Sequence, residues 1–380
     1  MDLAGLEFDL RSIYSLMRLS EKLGITPPLQ ENGNAKCRKY YPFVVTIVII
    51  IGCWVVLYGT ITCLWALFTT TNIILGIFFD CCRSLGVLNR KTWKTFLDLF
   101  TYIDKKLNKH LIITCKKNLI QRQLLLCHFF IFFVFGYDIY ICYANNGWKH
   151  FRYTLFKYFG YYHATITALV LMHFAAALSV RFKRINNILT KSSNLHGVIS
   201  NFVPKYATGG LNNLKSIKEV SDYYLLLSEL VDMFNKLFGW QIFLMTENII
   251  AVLLEIFNSL MLAIDYTQKT SDAHHDFRTI LVLTSLVLIF ILAQSKIILH
   301  CEDVNNESRN TLTISYKLQQ TVEPSSDERN ELVILGDVVN LLNTKTCAAG
   351  FYCVNRSLLS RVFSTVISYS IVLIQFNKQK

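Results

Sequence analysis

Charge is scarce in this chain: Asp, Glu, Lys and Arg make up 17% of its 380 residues, while 53% are hydrophobic. A soluble globular domain needs more ionisable surface than that, so this composition, with a mean hydropathy of +0.37, describes a membrane protein. The motifs of enzyme chemistry are missing too. There is no glycine-rich phosphate loop, no nucleophile elbow and no Cys or His cluster at metal-ligand spacing, and His274-His275 stands alone. Neither enzymatic activity nor a metal or cofactor is expected. No internal repeat is visible, and no apolar run contains a proline, as the broken helices of many secondary transporters do. A transporter nonetheless remains an alternative, because Asp138, Glu247 and Glu255 fall within apolar runs and are of a type that couples ions. The eleven cysteines are scattered without pairing spacing and are expected to be free thiols.

A hydrocarbon layer of roughly 30 Å needs about 20 apolar residues to cross. Seven such runs occur, near Phe43–Ile61, Phe68–Leu88, Leu124–Ala144, Tyr158–Val180, Phe243–Ile264, Ile280–Ile298 and Leu358–Phe376. The first two merge in one tract, with their break between Thr60 and Leu67. The reading is an all-α membrane protein of seven transmembrane helices. The first run begins after some forty residues that include Lys36, Arg38 and Lys39, which predicts a retained anchor rather than a cleaved signal.

Basic residues set the orientation, because loops rich in Lys and Arg stay in the cytoplasm. Successive segments on one side carry 6, 10, 8 and 5 Lys or Arg, and those on the other carry 3, 2 and 2. The N-terminus is therefore expected inside and the C-terminus outside, the reverse of a G-protein-coupled receptor, which is the other alternative. The net charge of +12 then requires no nucleic-acid partner. In this topology the sequons at Asn306 and Asn355 stay unglycosylated. Residues 1–42 are expected to form a cytoplasmic segment, 43–298 to carry helices 1 to 6, 299–356 to form a cytoplasmic loop and helix, and 357–380 the seventh helix with a short extracellular tail.

Ile217, Val220, Tyr224, Leu227, Leu230, Val231, Phe234 and Leu237 recur at helical spacing, predicting a long helix that continues the fifth span below the membrane. Glu331–Leu342 reads the same way before the seventh. The polar stretch Glu302–Asn330, punctuated by Glu323-Pro324-Ser325-Ser326-Asp327, reads as a flexible loop, and Asn194–Asn213, with Pro204 and Gly209-Gly210, as a second.

The last span ends in Ser368-Tyr369, the five residues Ser370–Ile374, then Gln375-Phe376. A lone amide near the end of an apolar helix needs polar partners, and two readings are open: it lines a water-filled pore, or it snorkels at the membrane surface. Tyr369, Val372, Gln375 or Phe376, and Gln379 share one helical face. Rings of Val372 and Phe376 suit a gate that closes by dewetting, and a ring of Gln375 suits hydrated cations without strong selection.

This tail resembles that of the insect gustatory receptors, within the seven-span insect chemoreceptor superfamily, whose members end in Thr-Tyr, five mostly hydrophobic residues and Gln-Phe; here Ser368 replaces the Thr. Gly350-Phe351 through Asn355-Arg356-Ser357-Leu358-Leu359 also resembles the family. Similar features are Trp93, Phe96, Leu99 and Ile103-Asp104 after the second span, Arg181-Phe182 with Ile185-Asn186 after the fourth, and Asn235 with Phe238-Gly239 before the fifth. The resemblance implies a gustatory receptor acting as a ligand-gated, non-selective cation channel. It implies a homo- or hetero-tetramer with related receptor subunits, in the plasma membrane of chemosensory neurons, with the seventh helices lining the pore and a cytoplasmic anchor joining subunits.

The same resemblance implies a pocket for a small organic ligand among the outer halves of the third to sixth spans. Tyr137, Asp138, Tyr161, Tyr162, Thr165, Glu255 and Asn258 supply aromatic and polar groups there. An interfacial tyrosine belt with locally paired acids is the competing reading. In sugar-sensing members an acidic residue commonly follows the motif tyrosine; Ser370 stands there, which points to a bitter or other small organic tastant.

Overall fold

The computed structural model describes residues 16–23, 25–27, 44, 47, 48, 51, 89–107, 125, 126, 128, 129, 132–137, 140, 143, 162–190, 209–267 and 273–378. Six helices and a small hairpin account for most of them: α1 Arg90–Leu107, α2 Tyr162–Thr190, α3 Gly209–Thr267, α4 Ala273–Thr321, α5 Asp327–Leu342, strands β1 Cys347–Ala348 and β2 Tyr352–Cys353, and α6 Ser357–Lys378. The expected fourth, fifth, sixth and seventh spans fall on α2, α3, α4 and α6. The first two spans lie outside the described residues except at 44, 47, 48 and 51, which are helical.

The core is built where α1, α2 and α3 meet. In α1, Trp93, Phe96, Phe100, Ile103 and Leu107 recur every three or four residues and are buried on one face. Their rings meet Phe174 of α2 and Phe238 of α3: Phe96 lies 5.3 Å from Phe174 edge-on, and Trp93 lies 5.2 Å from Phe238. Burying each such side chain contributes about 1.5–3 kcal/mol. At the end of this face Asp104 meets Arg181 of α2 at 2.5 Å, with both side chains buried. The Arg181 guanidinium also lies 4.4 Å from the Phe100 ring centroid and donates from Nη1 to the Ala177 carbonyl.

At 1.5 Å per residue the 59 residues of α3 run about 88 Å and the 49 of α4 about 74 Å. Both exceed a hydrocarbon layer more than twofold, so each continues well beyond it on one side, as the Ile217–Leu237 pattern predicts. There α3, α4 and α5 pack together, and among their buried apolar residues lies a set of polar side chains that are hydrogen-bonded. Tyr224 shares a 2.7 Å hydrogen bond with Ser308, Thr311 donates to Asn186 at 2.7 Å, and Ser315 donates to the Leu332 carbonyl at 2.6 Å.

This network overturns the loop expected at Glu302–Asn330. The helix runs on through Thr321, and its buried stripe of Val304, Ser308, Thr311 and Ser315 keeps helical spacing with hydroxyls in place of methyls. Only residues 322–326 break it, where the Ser326 side chain accepts from the Arg329 N–H and caps α5. Gly209-Gly210, expected in a loop, open α3. Residues 16–23 and 25–27 pack onto the helices: Leu16, Met17 and Ile25 join the core, and His163 Nε2 of α2 donates to the Leu23 carbonyl at 3.2 Å.

Three stretches among the described residues are long and apolar enough to span a membrane: Tyr162–Thr190, Ile217–Leu254 and Ser357–Gln375. Between α3 and α4, Gln294 Nε2 donates to Thr246 Oγ1 at 2.9 Å, and both side chains are buried. A hydrogen bond of this kind joins helices where water is absent.

Candidate functional site

The helix α6 is covered differently from the other apolar helices. In Tyr162–Thr190 and Ile217–Leu254, 67% of the most apolar stretch is buried within the chain, but in Ser357–Gln375 only 17% is. Leu358, Val362 and Ser370 are buried, and the four-residue steps between them define the side turned to the chain. Tyr369, 56% exposed, and Val372, 43%, point away from it, as does the exposed Gln375. The face expected to line a pore is thus, as far as Gln375, part of the surface that the chain leaves bare, which also takes in Phe363, Ile367 and Ile371. The Phe376 side chain lies outside the described residues. Ser370 is turned inward.

The connection into α6 is a short hairpin held by two asparagines. Asn235 of α3 donates from Nδ2 to the Lys345 carbonyl at 2.8 Å and accepts from the Cys347 N–H at 3.0 Å. Asn305 of α4 does the same on the other flank, donating to the Val354 carbonyl at 3.0 Å and accepting from the Thr346 N–H at 2.8 Å. Each amide satisfies one backbone donor and one acceptor that the two-residue strands leave over. Removing either leaves those groups without partners, at about 1–3 kcal/mol each.

Gly239 makes the close approach to this hairpin. A Cβ there would sit 2.8 Å from the Ala349 nitrogen and 3.2 Å from the Cys347 oxygen, so only glycine lets α3 and the turn touch. The turn passes through Ala349 and Gly350 with φ of 51° and 79° and closes with the Phe351 N–H on the Ala348 carbonyl at 3.0 Å. Beyond it Phe351, 64% exposed, stacks on Phe243 at 4.9 Å and meets Trp240 edge-on at 5.7 Å. Exposed aromatics clustered at the end of an apolar helix suit a membrane–water interface. Just past the hairpin Arg356 Nε lies 2.6 Å from Glu302 Oε2 of α4, and Arg361 Nη2 donates to Ser357 Oγ at 2.9 Å. Arg356 is well exposed, so its ion pair contributes at most about 1 kcal/mol.

The residues expected in a ligand pocket are only partly described. Tyr162 shares a 2.9 Å hydrogen bond with His128 Nε2, and the Phe132 ring lies 6.0 Å from its own. Neither His128 nor Phe132 was singled out by sequence. Thr165 is 4% exposed and Tyr137 43%. Asp138 and Tyr161 lie outside the described residues, and so do the side chains of Glu255 and Asn258, which sit three positions apart on α3. Asn235 and Gly239 carried a sequence signal through the family resemblance, but Asn305 and Thr346 carried none.

A sequence model of the 7tm chemosensory receptors matches residues 10–380. Among solved structures, 17 chains match. The insect olfactory receptor OR5 from Machilis hrabei superposes with a TM-score of 0.63 at 11% identity, covering 96% of this chain and 98% of that one. The likeness therefore extends over the whole fold. No curated protein sequence matches the chain.

Proposed function

Because the chain belongs to the 7tm chemosensory receptor family, we propose that it is a ligand-gated, non-selective cation channel of the plasma membrane, assembled as a tetramer around its α6 helices. One observation carries this reading: α6 is apolar enough to span a membrane, yet only 17% of that stretch is buried in its own chain. Copies arranged about an axis give its bare side both a partner and a water-filled path, in which Gln375 offers a neutral polar ring and Val372 and Phe376 apolar constrictions. The N-terminus lies inside and the C-terminus outside, following the bias of basic residues. The helical body formed by the far ends of α3 and α4 with α5 is then cytoplasmic and joins the subunits.

The ligand is a bitter or other small organic tastant, received among Tyr137, Asp138, Tyr161, Tyr162, Thr165, Glu255 and Asn258. The aromatic group of Tyr162, His128 and Phe132 supports a site that holds flat apolar ligands by ring contacts and fixes them through few polar groups. Sensory neurons are the expected cell type. Copies of the chain alone or related receptor subunits complete the tetramer.

The test is recording from cells expressing the chain, alone and with related subunits, beside a C-terminal tag stained before and after permeabilisation. A tag reached on intact cells, with ligand-evoked cation currents whose relative permeability changes in Gln375→Ala, supports the channel. A surface-delivered tag reached only after permeabilisation sinks the topology and favours a G-protein-coupled receptor. Unaltered permeability and divalent block in a well-expressed Gln375→Ala protein sinks the pore face.

A further inference from the structure

Cys347 and Cys353 face each other across the hairpin, paired in antiparallel register, with their sulfurs 3.7 Å apart. Both are free thiols and partly exposed. The Val354 N–H donates to the Thr346 carbonyl at 3.0 Å, which makes 346 and 354 a hydrogen-bonded pair and puts 347 and 353 at the next, non-hydrogen-bonded position. Facing Cα atoms at such positions approach to about 4.5 Å, inside the range of about 4.4–6.8 Å that a disulfide spans. We propose that Cys347 and Cys353 form a reversible dithiol–disulfide site, oxidised by peroxide-class oxidants and reduced again by cellular thiols.

The chemistry balances with hydrogen peroxide as the oxidant. One thiolate attacks a peroxide oxygen and the O–O bond breaks, leaving a sulfenic acid and a hydroxide that takes up a proton to become water. The second thiolate displaces the sulfenic hydroxyl, which leaves as a second water once protonated, and the S–S bond forms. Two electrons pass from the sulfur pair to the peroxide. Closure to about 2.05 Å needs the sulfurs to approach by less than 2 Å, a side-chain movement in strands whose backbone is already paired. Burial and the neighbouring Cys353 push the Cys347 thiol up to about 11, so Cys347 is protonated at neutral pH and reacts faster as pH rises. The bond would brace the hairpin immediately before α6, between the points held by Asn235 and Asn305.

Trypsin makes the test direct, because cleavage after Lys345 and Arg356 releases both cysteines in one peptide, Thr346–Arg356. The folded full-length protein in membranes is treated with hydrogen peroxide and quenched in acid. It is then denatured, its remaining thiols are blocked with N-ethylmaleimide, and the digest is weighed. The expected peptide is lighter by two hydrogens, carries no maleimide, and takes up two maleimides when dithiothreitol precedes the block. Cys301, fully buried and pushed up to about 12 by its burial, keeps its thiol in peptide Ile297–Arg309 and serves as the internal standard. In Cys353→Ser the light peptide disappears. A Thr346–Arg356 peptide carrying two maleimides after peroxide, one carrying a sulfinic acid on either cysteine beside a maleimide, or one crosslinked to another peptide overturns the proposal.

Discussion

Asp104 and Arg181, 77 residues apart, meet at 2.5 Å in a buried ion pair that ties the end of α1 to the far end of α2. Each was visible in the sequence only as part of a separate motif, Ile103-Asp104 after the second span and Arg181-Phe182 after the fourth. The fold makes them one structure, with the Phe100 ring against the guanidinium and Arg184 4.0 Å from the other carboxylate oxygen.

Asp104→Ala leaves the Arg181 charge buried, and a loss of about 3–5 kcal/mol is expected. Paired replacement of Asp104 and Arg181 by Leu should cost less than that single change, because it removes both charges at once. Thermal unfolding of the detergent-purified variants measures both. A double variant weaker than Asp104→Ala would mean that the pair stabilises the fold beyond relieving its own desolvation.

Two helical glycines should respond oppositely to alanine. Gly239→Ala forces the hairpin backbone away from α3, at about 1–3 kcal/mol. At Gly336 the nearest atoms lie 3.5 Å from the new Cβ, an ordinary contact, so Gly336→Ala should be neutral or stabilise α5 by up to about 1 kcal/mol. Equal melting temperatures for the two variants would show that the α3–hairpin contact yields without strain.

Alkaline stability should track the buried thiols. Burial raises Cys301 from an ordinary 9.0 to about 12, so the folded protein holds that proton more tightly than the unfolded chain. The stability this represents is complete below pH 9 and is lost as pH rises from 9 towards 12. Denaturant midpoints should fall across that window in the native protein and fall less in Cys301→Ala. Parallel pH curves would place the loss elsewhere.

On the channel reading, Phe376→Ala widens an apolar constriction and should raise ligand-free current severalfold. Flat basal current at matched surface expression would reassign Phe376 to packing.

How far the architecture could be read beforehand depended on whether burial was apolar. The fourth to seventh spans, the helical tract at Ile217–Leu237 and the face of Trp93 and Phe96 all carry hydrocarbon at helical spacing, and each appears as a helix. Residues 302–321 bury Ser308, Thr311 and Ser315 instead. A hydroxyl stripe gives no hydropathy signal, and its partners, Tyr224, Asn186 and the Leu332 carbonyl, come from three other helices. The asparagine clamps were partly hidden for the same reason. Asn305 differs from any exposed asparagine only through backbone groups 41 and 49 residues away. Of the residues expected in a pocket, Tyr162 meets His128, a partner that could not be inferred without the crossing of two helices.

The length of α3 has a mechanical consequence. No proline interrupts Gly209–Thr267, which runs as one continuous helix, so a movement at one end is carried to the other along a single element. A tilt of about 3° around its midpoint carries each end sideways by about 2 Å, in opposite directions. Asn235 and Gly239 sit near that midpoint, so a lever pivoting there would hold the hairpin almost still while its two tips swing, and pivoting elsewhere would drag the hairpin with it.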